Sequence, residues 1–257
     1  MMDALILRLD APLMSFGAPV VDSLGVIQPY PALSMMTGML GNALGFDHAE
    51  AERLERLQDR LRYAVRQDRR GREIQDFQTV DISKPHMRAY GSTKSRAWTT
   101  RGELENRTNQ NKKGDRGPLL RHRDYWAGAV YTVALTLDPA SEKPTLDDVT
   151  DAVRRPARPL FIGRKTCLPA APLFVGRTQA AGWVDLLGDG DKAPLSDRFR
   201  GRGEGEQTFP VWRPSDAQDE RATPVTDRRD WRNQIHVGER WIARDEVTIT
   251  SDDTKDE

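Results

Sequence analysis

The sequence predicts an α+β fold interrupted by a basic insertion, and three observations support this prediction. Residues 4–9 and 129–137 are runs of apolar, β-branched and aromatic residues of the kind that form buried strands. Residues 34–44 and 145–154 carry helix start and stop residues at their ends. The order of strand, helices, short strands, insertion, strand and helix resembles a split βαβ ferredoxin-like module, whose sheet has one face covered by helices and the other available.

The first predicted helix follows the first strand. Ser34 is the expected N-cap, and Gly45 stands where a glycine commonly ends a helix. Gly38 and Gly41 are three residues apart on one helix face, although each destabilises a helix by roughly 1 kcal/mol relative to alanine. This spacing indicates close approach by another backbone, which is either the underlying sheet or a bound strand of nucleic acid.

A second helix and two short strands lead to the insertion. Residues 49–61 carry leucines at helical spacing, which predicts contact with the core. Strands are expected at 61–65 and 77–82, on either side of a turn at 69–71. After the insertion, the helix that begins at the expected cap Thr145 ends before Pro156.

The loop at residues 158–169 begins like a strand and then places Gly163 before the adjacent cations Arg164 and Lys165. A glycine next to two cations suits either the oxygens of a phosphate or a tight turn with exposed charges. The pattern weakens after Gly188, and residues 196–257 are predicted to form a smaller C-terminal region.

Composition restricts the chemistry. Cys167 is the single cysteine, so a disulfide framework is excluded, and the four histidines are scattered without the spacing of a metal site. No apolar run approaches the roughly 20 residues of a membrane span. We therefore expect a soluble, cytoplasmic protein with no cofactor, no metal and no membrane partner.

The insertion at residues 84–123 concentrates the positive charge of the chain. It holds eleven basic and three acidic residues, a net charge of +8, whereas the whole chain balances 39 basic against 39 acidic residues. Such a segment is either a solvated loop or a basic arm, a long irregular hairpin laid along a nucleic-acid backbone. Trp98 within it is a candidate for stacking on a base or for burial against the body.

His122 is the residue of the insertion with catalytic potential. It lies between Arg121 and Arg123, whose charges disfavour a protonated imidazole. It suits a phosphate or base contact, and the alternative is a general base for RNA cleavage. Cys167 follows Lys165 closely and is either a low-pKa thiol or buried filler. A Walker loop, a serine elbow and a paired-carboxylate arrangement are missing from the sequence.

Four stretches of the sequence together resemble one family. Residues 7–17, 30–45, 121–125 and 158–173 are similar to segments of the type I-E CRISPR-associated CasD group (the Cas-five family), a subunit of the Cascade complex. The resemblance implies a ferredoxin-like (RRM-like, RAMP) body at residues 1–83 and 124–195. It also implies a basic β-hairpin thumb at 84–123 and a C-terminal extension at 196–257.

The family implies a function in antiviral defence. Its members grip the 5′ handle of the crRNA within a ribonucleoprotein, contact the large subunit and the backbone subunits of Cascade, and meet target DNA indirectly through the complex. Type I-E members leave the RNA uncut, whereas type I-C relatives cleave precursor RNA with tyrosine, lysine and histidine. Here Arg121 stands before His122 in place of that lysine, and an arginine does not readily give up a proton.

The sequence therefore predicts a non-catalytic RNA-binding subunit, with a metal-independent endoribonuclease that uses His122 as the alternative. Phosphate contacts, backbone and hydroxyl contacts and one stacking contact are expected from Ser15, Phe16, Gly17, Ser34, Lys94, Arg96, Trp98, Arg101, Arg107, Lys112, Lys113, Arg121, His122, Arg123, Gly163, Arg164 and Lys165.

Overall fold

The computed structural model describes residues 1–18, 24–80, 96–98, 104–106, 119–196 and 205–251. Its helices are α1 Leu33–Ala43, α2 Ala51–Arg60, α3 Leu146–Arg154 and α4 Trp183–Gly188. Its strands are β1 Met2–Asp10, β2 Leu13–Met14, β3 Leu24–Gly25, β4 Leu61–Arg69, β5 Arg72–Val80, β6 Arg96–Trp98, β7 Leu104–Asn106, β8 Leu119–Ala127, β9 Val130–Leu137, β10 Phe174–Ala180, β11 Gly205–Ser215, β12 Ala222–Val225, β13 Arg229–Asp230, β14 Ile235–His236 and β15 Arg240–Ser251. The predicted α+β class is confirmed.

The main sheet has seven antiparallel strands in the order β10-β1-β9-β4-β11-β15-β12. Because side chains alternate along a strand, Leu5, Leu7 and Leu9 of β1 face the core that includes residues of α1, α2 and α3. Ala4 and Ile6 face the other way, into a second core with Leu186 and Leu187 of α4. The expectation of one available sheet face is therefore wrong for the described residues.

Buried charge holds this second face closed. Arg66 Nε donates to Asp68 Oδ1 at 2.6 Å, and Thr132 Oγ1 donates to Asp68 Oδ2 at 2.5 Å. The guanidinium of Arg66 also donates to the carbonyl oxygens of Leu187 and Ala193, in the segment that covers the face. Departure of this segment would therefore take away two hydrogen-bond acceptors of the Arg66 guanidinium, while the ion pair within β4 would remain.

The C-terminal residues complete the main sheet. β11 pairs along its whole length with β15 and joins β4 through Val211 and Trp212. The region predicted as a C-terminal extension thus contributes β11, β12 and β15 to the main sheet. The hydrophobic pattern of this C-terminal region is weak in the sequence, because only alternate residues of its strands are apolar and buried. Val247 and Ile249 of β15 are examples, and Thr248 between them is exposed.

The helices differ in how well local sequence predicts them. Thr145 caps α3 through a reciprocal pair of hydrogen bonds with Asp148, as predicted. The expected cap Ser34 is wrong, because α1 begins at Leu33 and its N-cap is Ala32 without a side-chain cap. Within the described residues, no helix is both long and apolar enough to cross a membrane.

A smaller sheet lies at the base of the predicted thumb. β8 pairs with β5 from Ala127–Arg72 to Leu119–Val80 along one edge, and with β2 and β3 along the other. β6 pairs with β7 in the segment between β5 and β8. The predicted boundary at residue 123 falls inside β8, so the run from Arg121 to Arg123 belongs to a strand of this sheet.

Candidate nucleic-acid interface

A cleft of about 770 Å³ lies between α1, the loop after β2, the loop before β10 and the C-terminal segment that contains β13 and β14. Six residues that the sequence predicts as RNA contacts line it: Ser15, Gly17, Ser34, Gly163, Arg164 and Lys165. They come from three distant stretches of the chain. The structure therefore brings this part of the predicted set together in one place.

Gly163 allows two of these stretches to meet. Its φ is +98°, and a Cβ built on it would lie 1.9 Å from the carbonyl oxygen of Ser15. The N–H of Ser15 donates to the carbonyl oxygen of Ile162 at 3.1 Å. The glycine is thus required by close approach of the protein's own backbone, and the predicted strand-like start of this loop is an irregular turn.

Arg164 and Lys165 have different surroundings. Arg164 donates to the carbonyl oxygens of Asp124 at 2.8 Å and Gly25 at 3.1 Å, and its guanidinium lies 4.6 Å from the ring centre of Tyr125. Arg164 therefore ties the cleft to β8 and β3. Lys165 is exposed at the cleft, where an ammonium can meet a phosphate.

The predicted run Arg121, His122 and Arg123 is divided between the two faces of β8. Alternation places Arg121 and Arg123 on the face of Tyr125, the residue that Arg164 covers. His122 is on the other face, directly opposite Phe77 of β5 and Leu24 of β3. The two arginines thus share a face with Tyr125, which Arg164 contacts, whereas His122 has apolar cross-strand neighbours.

Phe16, which was predicted together with Ser15 and Gly17 to supply backbone contacts, does not line the cleft. Its side chain is fully buried and packs edge-on against Tyr131, with ring centres 5.0 Å apart. Its carbonyl oxygen accepts a hydrogen bond from the N–H of Gln28 at 2.7 Å. Ser34 keeps its place at the cleft, although its backbone N–H already donates to the carbonyl oxygen of Asp227 at 3.0 Å.

The two glycines of α1 admit neighbouring side chains. A Cβ on Gly38 would lie 3.3 Å from Cη2 of Trp231, and a Cβ on Gly41 would lie 2.6 Å from Cδ2 of Leu54. The underlying sheet, which was one of the two expected neighbours, is not what approaches them. The close approach comes from α2 and from the C-terminal segment.

Arg229, Trp231 and His236 are among the cleft residues that were not assigned a role from the sequence. The only indication was the density of cations and aromatic residues at 228–232. Gln58 of α2 fixes this segment, because its amide both accepts from the N–H of Arg229 at 3.0 Å and donates to the Arg229 carbonyl oxygen at 2.9 Å.

Burial raises the pKa of the Cys167 thiol, so the structure favours the buried-filler interpretation over a reactive thiolate. Among the described residues, no three His, Cys, Asp or Glu side chains converge as a metal site would require. Arg96 and Trp98 lie in β6, opposite Asn106 and Leu104. Five predicted contacts lie outside the described residues: Lys94, Arg101, Arg107, Lys112 and Lys113.

Comparison with known proteins identifies relatives. A family model described as CRISPR-associated protein (Cas_Cas5) matches residues 4–243. The CRISPR system Cascade subunit CasD of Escherichia coli (strain K12) is 29% identical over 163 residues, which are 63% of this chain and 66% of that relative. The aligned part is therefore slightly less than two thirds of the relative's length.

Two solved structures share the fold. A chain of a structure titled CRISPR RNA-guided surveillance complex has a TM-score of 0.63 and 22% identity, and the match covers 96% of this chain and 90% of that one. A second, titled Crystal structure of Cas protein, has a TM-score of 0.52 and 20% identity, with 96% and 95% covered.

Proposed function

The chain belongs to the CRISPR-associated Cas5 family, and from this premise we propose that it is a non-catalytic RNA-binding subunit of a type I-E Cascade complex. In this proposal it grips the 5′ handle of the crRNA and joins the large subunit to the backbone filament of a cytoplasmic ribonucleoprotein in antiviral defence. Its body is the ferredoxin-like (RRM-like, RAMP) part, and residues 84–123 are its thumb.

The observation that carries the proposal is the continuity between the cleft and the basic strand β8. Arg164 bonds to β8 at Asp124 while Lys165, the next residue, is exposed at the cleft. Arg121 and Arg123 lie on the same face of β8 as Tyr125, the residue that Arg164 contacts. In this proposal single-stranded RNA passes from the thumb over Arg121 and Arg123 to Lys165, so that its phosphates lie near cations along this path.

The closed second face of the main sheet supports this route. RRM-type sheets bind RNA on an open face with exposed aromatic residues. In this chain the corresponding area holds the buried pair of Arg66 and Asp68 under the segment that contains Ala193. The proposal therefore places RNA at the cleft and on the smaller sheet that β2, β3, β5 and β8 form.

Co-purification tests the proposal. The chain, produced with the other subunits and a CRISPR array, is expected to retain a discrete short RNA with a uniform 5′ end. The triple variant Arg121→Gln/Arg123→Gln/Lys165→Gln should lose that RNA. The control Arg62→Gln/Arg155→Gln/Arg244→Gln neutralises three exposed cations elsewhere and should retain it. Equal RNA in both variants would instead favour a module that contacts only protein.

A further inference from the structure

The smaller sheet has two faces of different chemistry. Paired residues of neighbouring strands point to the same face, and successive residues of one strand point to opposite faces. One face is marked by Arg164, which lies over Tyr125 and stands 2.7 Å from where a Cβ on Gly25 would be. The pairings place Arg72, Asp76, Arg121 and Arg123 on this basic face, and Leu24, Glu73, Gln75, Phe77, His122 and Asp124 on the opposite, acidic face.

Charge is separated between these two faces. Three arginines oppose the single carboxylate of Asp76 on the basic face. The acidic face carries the carboxylates of Glu73 and Asp124, and no lysine or arginine stands at the strand positions that the structure describes there. Phosphates are attracted to the first face and repelled by the second. The acidic face therefore lies outside the path proposed for the RNA.

A row of apolar side chains crosses the acidic face. Phe77 of β5 and Leu24 of β3 stand on either side of His122 of β8, and they are 66% and 47% exposed. A single exposed apolar residue is common on a protein surface, but this row extends over three adjacent strands, a width of about 10 Å. Such an exposed row points to a surface that another molecule covers.

A fixed carboxylate borders the row. Asp124 follows His122 on the acidic face of β8, and its Oδ1 accepts a hydrogen bond from Gln75 Nε2 at 2.9 Å. Its Oδ2 has no partner in the described part of the chain. Further toward the body on the same face, the Nε1–H of buried Trp126 donates to the carbonyl oxygen of Gln28 at 2.8 Å. The row and its carboxylate thus stand on a strand that the body anchors.

Resting on the function proposed above, we infer that the acidic face docks a neighbouring protein subunit of the complex. The docked segment places an apolar side chain against Phe77 and Leu24, and a lysine or arginine beside it meets Asp124 or Glu73. RNA is the competing occupant, since a base can stack on an exposed phenylalanine. A base arrives with its phosphate, however, and the two carboxylates disfavour that phosphate. The smaller sheet therefore holds RNA on its basic face and protein on its acidic face.

Photo-crosslinking in the assembled complex tests which molecule covers the acidic face. The chain is produced with the other Cascade subunits and a CRISPR array, and it carries a photoreactive benzoylphenylalanine in place of Phe77. Mass spectrometry should identify a crosslink to another protein subunit, at an apolar residue next to a lysine or arginine. The same group in place of Ile74, which is on the basic face of the same strand, should not crosslink to that peptide.

Competition for assembly measures how much the acidic face contributes. Wild-type and variant chains with different tags are produced together, and mass spectrometry gives their ratio in the purified complexes. Phe77→Ser should be incorporated about tenfold less than the wild type, as expected for loss of an aromatic anchor, and Glu73→Lys about threefold less. Ile74→Ser and Asp76→Lys make the same kinds of change on the basic face and should be incorporated as well as the wild type.

The free chain and the bound RNA separate the inference from its alternatives. Phe77 is mostly exposed, so the thermal midpoint of Phe77→Ser should equal that of the wild type, and if this variant fails to fold the crosslink decides. A crosslink from position 77 to RNA or to a second copy of this chain, no crosslink, or full incorporation of folded Phe77→Ser overturns the inference. Complexes without RNA would contradict the proposed function, whereas a crosslink from position 77 to a subunit in such complexes would still support docking at the acidic face.

Discussion

Asp227 and Arg240 form a buried ion pair that also begins helix α1. Arg240 Nε donates to Asp227 Oδ1 and its Nη2 to Oδ2, both at 2.7 Å, and the N–H of Leu33 donates to Oδ2 at 2.9 Å. Arg240 also donates to the hydroxyl of Tyr63 at 2.6 Å. Burial would lower the pKa of Arg240, but Tyr63 and Asp227 outweigh it and raise the pKa, so the guanidinium stays charged.

Asp227→Asn should destabilise the protein strongly. The variant leaves Arg240 buried without its counter-ion, which costs about 3–5 kcal/mol of unfolding free energy in comparable pairs. Denaturant unfolding measures the loss. Glu52→Gln is the matched control, because it breaks the exposed pair with Arg232 and should leave the midpoint unchanged. A small effect of Asp227→Asn would show that the pair is not what positions α1.

The start of α1 shows what the sequence could and could not predict. The cap of α3 was predicted correctly because Thr145 and Asp148 are three residues apart. Asp227, which binds the first N–H of α1, is 194 residues away, and no local pattern indicates it. Ser34 was an attractive cap by composition, but the tertiary contact decides where the helix begins.

The residues of the candidate site also divide into those that the local sequence predicted and those that it did not. Ser15, Ser34 and Lys165 lie in stretches whose local residues carry a family resemblance, and they do meet at the cleft. Trp231 and His236 reach it because long-range contacts, among them those of Gln58 with Arg229 and of Asp227 with Leu33, hold their segment against α1 and α2. Such placement depends on long-range pairing, so it could not be predicted from spacing.

Gly163→Ala should separate the two loops that form one side of the cleft. A Cβ at this position meets Ser15 at a distance no contact allows, and the φ of +98° is strained for alanine, so a loss of more than about 2 kcal/mol is expected. Gly176→Ala adds the same methyl group where nothing lies within 4 Å and should be neutral. Thermal unfolding of both variants tests this, and equal midpoints would contradict the close contact.

Substitution of Arg164 should lower stability, whereas substitution of Lys165 should change only the salt dependence of RNA binding. Arg164→Lys keeps the charge but loses the paired carbonyl contacts and the stacking on Tyr125, so stability should fall by about 1–3 kcal/mol. Lys165→Gln should leave stability unchanged and reduce the slope of log affinity against log salt by about 0.7, the value for one phosphate contact on a single strand. Unfolding and RNA titration at several salt concentrations distinguish the two. A destabilised Lys165→Gln would refute the division of roles.

His236 should make stability depend on pH. Burial and then Arg229 lower its folded-state pKa below the unfolded value of 6.5, so the unfolded chain binds the proton more readily. Stability is therefore full above about pH 6.5 and declines as the pH falls toward the folded pKa. His236→Gln should flatten the unfolding midpoint between pH 7 and 5, measured relative to the exposed His48→Gln control. A slope unchanged by His236→Gln would contradict the assignment.

Purified protein should not cleave CRISPR repeat RNA in EDTA, and His122→Ala should make no difference to this outcome. Metal-independent RNA cleavage needs a base held near the attacking hydroxyl and a group that donates a proton to the leaving oxygen. His122 has Phe77 and Leu24 as its cross-strand neighbours, and the adjacent Arg121 lies on the other face of β8. Gel analysis of end-labelled RNA provides the measurement, with His48→Ala as a surface control. If specific cleavage occurs and is lost in His122→Ala but not in His48→Ala, the protein is an endoribonuclease and the scaffold proposal is wrong. The two faces of β8 would then have to act together on one phosphate.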